Sequence, residues 1–145
     1  QLDAPEGLVA DPARGMLRQA RGHGLEAVQS DGARLPFRSA SVDAVVVTDA
    51  LHHVGDQEGV LTEAARVLRP GGVFVVREFD PTTLRGRGLV AAEHLVGFDS
   101  VFHSPDELAD MIAETSLIAS VVERGFGYTV VGRAESGSSK SVAAD

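Results

Sequence analysis

Between Val42 and Phe79 two short valine-rich runs flank an amphipathic stretch, and this arrangement leaves few folds open. Val42-Asp43-Ala44-Val45-Val46-Val47-Thr48 is almost uninterrupted apolar and β-branched, the pattern of a strand buried on both faces and central in a parallel sheet. From Gln57 the apolar residues Val60, Leu61, Ala64, Ala65, Val67 and Leu68 recur at intervals of three and four, which predicts a helix with one buried face. Pro70-Gly71-Gly72 ends that helix, and Val73 to Phe79 reads as the next buried strand. Strand, helix and strand in this order make a parallel unit with a right-handed crossover.

The flanking residues extend the alternation. Gly7 to Ala10 is a short apolar run ending at Asp11-Pro12, an N-cap and a first-turn proline for a helix through about Arg21. Gly22 and Gly24 stop that helix, Glu26 to Ser30 gives a second short strand, and Asp31 to Ser41 is a loop. Asp80-Pro81 opens a helical segment to about Val96, and Ser104-Pro105-Asp106-Glu107 is a capping box that starts a helix lasting to about Thr115. Ile118 to Arg124 and Tyr128 to Arg133 are strands around Gly125-Phe126-Gly127, close enough in sequence to pair antiparallel. The expected fold is α/β, a doubly wound, mostly parallel sheet closed by a C-terminal antiparallel hairpin. It forms one domain over residues 1–133, and residues 134–145, with Ser136-Gly137-Ser138-Ser139, are too small and polar to order themselves.

Composition narrows the function classes. With 145 residues and 43% hydrophobic content the chain supports one core. It has no cysteine, which excludes disulfides, thiolate metal sites and cysteine nucleophiles. A net charge of −8, with Lys140 as the sole lysine, argues against a nucleic-acid partner. Neither a long apolar run nor a signal-peptide pattern is present, so the reading is soluble and cytoplasmic, with no membrane partner.

Five segments then fall in a fixed order: Leu35-Pro36-Phe37, Val42 to Val47, Leu51-His52-His53-Val54, Glu63 to Leu68, and Arg69-Pro70-Gly71-Gly72. Together they resemble the class I S-adenosylmethionine-dependent methyltransferases, nearest to the ubiquinone and menaquinone C-methyltransferase branch, over about residues 7 to 133. The resemblance implies a Rossmann-like methyltransferase fold whose last strand inserts antiparallel beside the fifth, S-adenosylmethionine as cofactor, and methyl transfer to a small-molecule acceptor. In that family a first strand and a glycine-rich loop precede this stretch. Six residues before Gly7 are too few for them, so the first strand is expected to be missing. Two open sheet edges, weak cofactor binding and self-association through those edges are the expected consequences.

Ligands of open α/β sheets bind at the carboxyl ends of the strands. The resemblance makes Asp11 the acid that accepts hydrogen bonds from the cofactor ribose, although capping its own helix is a sufficient local reason for an aspartate there. It makes Asp31 and the backbone of Gly32 the reader of adenine, against the alternative of an Asx turn. Thr48 is the small polar residue facing the cofactor, or else a strand residue with a satisfied hydroxyl. His52 is a candidate for proton transfer, since imidazole suits that task near neutral pH, against the reading the resemblance implies, in which the histidine pair is part of the strand-to-helix turn. Metal is not expected, because His23, His94 and His103 form no recognisable ligand set with His52-His53.

Arg69-Pro70-Gly71-Gly72 lies at the amino edge of the sheet, away from ligands, and Arg66 reads as a helix-end or packing charge. Glu78 and Asp80 leave their strand at the ligand edge, where Arg85 and Arg87 are either partners for an anionic group or solvated. Leu89, Val90, Leu95, Val96, Phe98 and Phe102 either line an apolar acceptor cavity or belong to the core. Two other functions fit parts of the pattern: a non-catalytic remnant serving a partner chain, and a nicotinamide-dependent oxidoreductase. The antiparallel end and Leu35-Pro36-Phe37 speak against the latter.

Overall fold

The computed structural model describes residues 7–137. Its elements run β1 (Leu8–Asp11), α1 (Arg14–Gly22), β2 (Glu26–Gln29), β3 (Val42–Thr48), a single 3₁₀ turn (Leu51–His53), α2 (Gln57–Val67), β4 (Leu68–Phe79), α3 (Leu84–Leu95), α4 (Pro105–Ala113), β5 (Ile118–Glu123) and β6 (Gly127–Arg133). The expected alternation is present. β1 and β2 pair in parallel as one small sheet, and the other strands form a second sheet in the order β3-β4-β6-β5. β3 and β4 are parallel, whereas β6 runs antiparallel between β4 and β5. The hairpin therefore inserts its second strand against β4, as expected.

Phe74, Val76, Tyr128 and Val130 from β4 and β6 are wholly buried against Leu61 and Ala64 of α2 and Leu108 and Ile112 of α4. Each large side chain buried here contributes roughly 1.5–3 kcal/mol, so the fold is anchored on the antiparallel side. The expectation of a doubly buried, central β3 fails. The strand has the predicted bounds but stands at the end of its sheet, and Val46 is 65% exposed. Among the described residues β1 pairs only with β2 and β3 only with β4, so each keeps one edge without a partner. Val45 and Val47 pack against the core from one face of β3, while Ala44 and Val46 on the other face are exposed.

Helix starts follow side-chain chemistry. Asp56 accepts the Gly59 amide at 2.9 Å to cap α2. The α4 capping box is formed, with the Ser104 amide donating to Glu107 at 2.8 Å and the Glu107 amide donating back to Ser104 at 3.4 Å. Two expected caps are corrected. Asp11 does not cap α1, whose N-cap is Ala13; its carboxylate instead accepts the Ala13 amide at 2.6 Å, in a turn that ends before the helix begins. α3 begins at Leu84, one turn after Asp80-Pro81, because the Asp80 carboxylate takes the Thr82 amide at 2.8 Å while Thr83 caps the helix by accepting the Gly86 amide at 3.0 Å. Gly86 is required there, since a Cβ would collide with the Asp80 carbonyl oxygen.

α2 ends at Val67, ahead of Pro70-Gly71-Gly72, and β4 starts at Leu68 and not at the expected Val73: Leu68 pairs with Val42, and the ladder breaks before Val73 pairs with Ala44. Gly71, at φ +80, makes the excursion possible and donates its amide to the Ala134 carbonyl, while Ala134 donates to Gly72. Ala134 is thus ordered, one residue into the segment expected to be disordered, and residues 138–145 of that segment lie outside the described residues. No described helix is long and apolar enough to cross a membrane.

Candidate functional site

The carboxyl ends of β1, β2, β3 and β4 deliver Asp11, Asp31, Thr48 and Glu78 respectively. Asp11 and Asp31 share a design. Asp11 is paired across the small sheet with Gln29, two residues before Asp31, and the Ser30 amide donates to the Asp11 carbonyl at 3.3 Å. In each carboxylate one oxygen accepts the backbone amide two residues on, Ala13 at 2.6 Å and Ala33 at 3.0 Å. The second oxygen of each makes no hydrogen bond among the described residues. Each aspartate thus has one oxygen engaged in its own turn, and the local Asx-turn account of Asp31 holds alongside any ligand role.

Gly32 sets where this corner sits. A Cβ there would meet Val60 Cγ2 at 3.2 Å, so glycine allows the Asp31 turn to rest against α2. The loop that follows is clasped by the same helix. Glu63 accepts the Leu35 amide at 2.8 Å, and the Arg66 guanidinium donates to the carbonyls of Leu35 at 3.3 Å and Phe37 at 2.9 Å. The Arg66 hydrogen bond, reinforced by the Leu35 amide, holds the Glu63 carboxyl below the ordinary glutamate range despite the opposing effect of burial. Arg66 is thus a loop anchor, as expected of a packing charge.

Thr48 is exposed at the end of β3. Asp49, next to it, has φ +50, and its amide donates to the Arg77 carbonyl at 2.9 Å, which turns the chain sharply into Leu51-His52-His53.

That turn carries His52 into the interior, where it is 5% exposed. Nδ1 lies 2.6 Å from Glu78 Oε2, and Glu78 Oε1 accepts the Leu51 amide at 2.7 Å. The imidazole stacks on Phe102 with centroids 4.4 Å apart. Beside it Gln57 donates to the carbonyls of Leu51 at 3.0 Å and Val101 at 2.9 Å. The Tyr128 hydroxyl donates to the His103 carbonyl at 2.8 Å, and burial, aided by nearby Glu78, pushes its pKa above the ordinary phenol value. The remaining cavity is about 10 Å³, space for roughly one water.

Glu78 is consequently not a free wall of an acceptor pocket: it is buried as the partner of His52, and Asp80 is likewise committed to Thr82. The apolar set does not enclose a cavity either. Leu95 is 88% exposed, Val96 and Phe98 are exposed, and Leu89, Val90 and Phe102 are half-buried. A residue that periodicity did not single out joins the histidines. Glu93 of α3 brings Oε1 to 3.8 Å from His52 Nε2. Nothing in the sequence spacing signals this approach across some forty positions, because it depends on where α3 begins.

A family model described as a methyltransferase domain matches residues 6–76. A demethylmenaquinone methyltransferase of Mycobacterium sp. (strain KMS) is 40% identical over 89 residues, covering 61% of this chain and 39% of the relative. That of Corynebacterium glutamicum (strain R) is 35% identical over the same length and coverage. The chain thus spans about two fifths of the length of these curated relatives. Among solved structures, an S-adenosylmethionine-dependent methyltransferase of Thermotoga maritima superposes with a TM-score of 0.79 at 21% identity, covering 87% of this chain and 72% of that one. One from Mesorhizobium loti superposes with a TM-score of 0.70 at 20% identity, covering 87% and 79%.

Proposed function

We propose, for a chain that belongs to the class I S-adenosylmethionine-dependent methyltransferases and is related to the demethylmenaquinone methyltransferases, that it forms the nucleoside-holding part of a site transferring methyl to a small-molecule acceptor. The observation that carries this reading is the matched state of Asp11 and Asp31 at neighbouring parallel strand ends, each with one oxygen anchored and one presented. A ribose diol and an adenine amino group are donors, and two fixed acceptors fit them. In this reading Asp11 takes the ribose hydroxyls, Asp31 and the Gly32 backbone take adenine, and Thr48 lines the same edge.

S-adenosylmethionine, when bound, supplies a methyl group on an electrophilic sulfonium. Its displacement needs alignment more than covalent help, so the work of this chain is to hold and orient. His52 is assigned to positioning, not proton transfer: it is buried, Nδ1 is committed to Glu78, and Nε2 is directed at Glu93. The His52–Glu78 pair fixes the turn after β3, and with it Thr48, relative to β4.

The unpaired edges of β1 and β3 support a finer reading, in which a strand between the two sheets completes the cradle. The 145-residue chain alone then binds cofactor weakly and self-associates through those edges. A non-catalytic scaffold is the competing reading. Backbone NMR during titration with S-adenosylhomocysteine separates them: the amides of Ala13, Gly32 and Ala33 should shift at millimolar ligand. Unmoved amides at saturation sink the site assignment, and micromolar affinity sinks the weak-binding part.

A further inference from the structure

We infer that His52, His53 and Glu93 form a binding site for a divalent transition-metal cation, zinc in the first instance. Their donor atoms all lie within 4.8 Å of one another. His52 Nδ1 is engaged by the Glu78 carboxylate at 2.6 Å, which leaves Nε2 as the ring nitrogen turned toward a further partner. Nε2 faces a second carboxylate, Glu93 Oε1, 3.8 Å away. A carboxylate facing an imidazole nitrogen needs positive charge between them, as a proton on Nε2 or as a metal ion, and the separation is too long for a hydrogen bond. It matches two metal bonds of about 2.0–2.2 Å bent at a shared ion.

Two further observations point the same way. Among the described residues Glu93 Oε2 is buried with no hydrogen-bond partner, an arrangement that costs free energy unless something occupies it. Each imidazole also has its other nitrogen engaged, His52 with Glu78 and His53 Nδ1 with Ser100 Oγ at 3.1 Å, which is how ligating histidines are oriented by outer partners. Two imidazoles and one carboxylate select a borderline cation over magnesium or calcium. Because His53 is exposed, the ion keeps an open position toward solvent for an oxygen donor. Binding ties α3, which buries little besides Gly86, to the turn after β3.

The test is titration of the chelator-stripped 145-residue chain with zinc chloride, read by calorimetry and by thermal midpoint, and with cobalt chloride, read by visible absorption. Saturable one-to-one binding, a raised midpoint and an intense cobalt band of low coordination number are expected. Glu93→Gln and His53→Ala should each weaken binding at least tenfold while leaving the circular dichroism spectrum intact, and Glu78→Gln should weaken it about tenfold or more. His94→Ala, an exposed neighbour, should change nothing. Absent saturation, or unchanged affinity in both Glu93→Gln and His53→Ala, overturns the inference. The result is independent of cofactor binding, so a failed S-adenosylhomocysteine titration does not bear on it.

Discussion

Glu63 accepts the backbone amide of Leu35 at 2.8 Å across 28 positions of sequence, joining the middle of α2 to the loop that leads into β3. The same carboxylate takes the Arg66 guanidinium at 2.7 Å, and Arg66 closes the clasp on the Phe37 carbonyl. The conjunction of Leu35-Pro36-Phe37 with Glu63 and Arg66 in the sequence is therefore one structural device. Two side chains of a helix hold an irregular loop whose backbone would otherwise lack partners.

Glu63→Gln should cost about 1 kcal/mol at neutral pH, a value discounted because Arg66 is partly exposed. The pH dependence follows from the lowered Glu63 pKa. A carboxyl depressed by folding contributes its stability fully above the unfolded value, about 4.3, and loses it as pH falls through the lower folded value. Urea denaturation from pH 7 to pH 3 should show wild type and variant converging at the acid end. Parallel curves would mean that the pair carries no such linkage.

Asp11→Asn separates local structure from ligand binding. Asparagine keeps an oxygen for the Ala13 amide, so stability should change by no more than about 0.5 kcal/mol. One hydrogen bond from a ligand hydroxyl to a charged acceptor is worth about 1.5–3 kcal/mol, roughly tenfold or more in affinity. Fluorescence-monitored unfolding together with an NMR titration against S-adenosylhomocysteine reads both. Equal affinity in the variant removes Asp11 from the ligand site.

Much of this organisation is legible in sequence because it rests on local rules. The alternating elements, the Ser104 capping box and the β5–β6 hairpin depend on periodicity, a four-residue motif and a short connection, and all three are present. The aspartates at strand ends are legible for the same reason. What sequence does not show is set by tertiary geometry. The valine run of β3 has the composition of a central strand, yet centrality is a property of neighbours: among the described residues β3 pairs on one side only, and Val46 is exposed. Asp80-Pro81 carries the local signal of a helix start, but the Asp80 carboxylate closes on Thr82 and delays α3 by a turn. Glu93 comes opposite His52 from a separate helix some forty positions away, a pairing no spacing rule anticipates.

Glu78→Ala should be the most damaging of these substitutions. It leaves His52 and the Leu51 amide buried without their acceptor, and breaking a buried pair costs about 3–5 kcal/mol, a large part of the stability of a domain this size. Glu78→Gln retains an oxygen for Leu51 and should cost about 1–2 kcal/mol. Chemical denaturation of both variants checks the ordering. If the two substitutions cost the same, the Leu51 hydrogen bond contributes nothing and the His52 contact carries the whole effect.

Val46→Lys addresses the open edge of β3. At 65% exposure the valine contributes little to the core, so lysine should leave the unfolding midpoint within the range of an ordinary surface change, about 0.5 kcal/mol. A charge on a strand with one open edge opposes pairing with another chain, and sedimentation equilibrium should show less self-association in the variant than in wild type. A loss above about 2 kcal/mol would instead place Val46 in a buried setting, and β3 would then have a covered face in solution. Unchanged association with unchanged stability would locate the self-contact elsewhere, leaving the edge of β1 as the next strand to charge, through Val9→Lys.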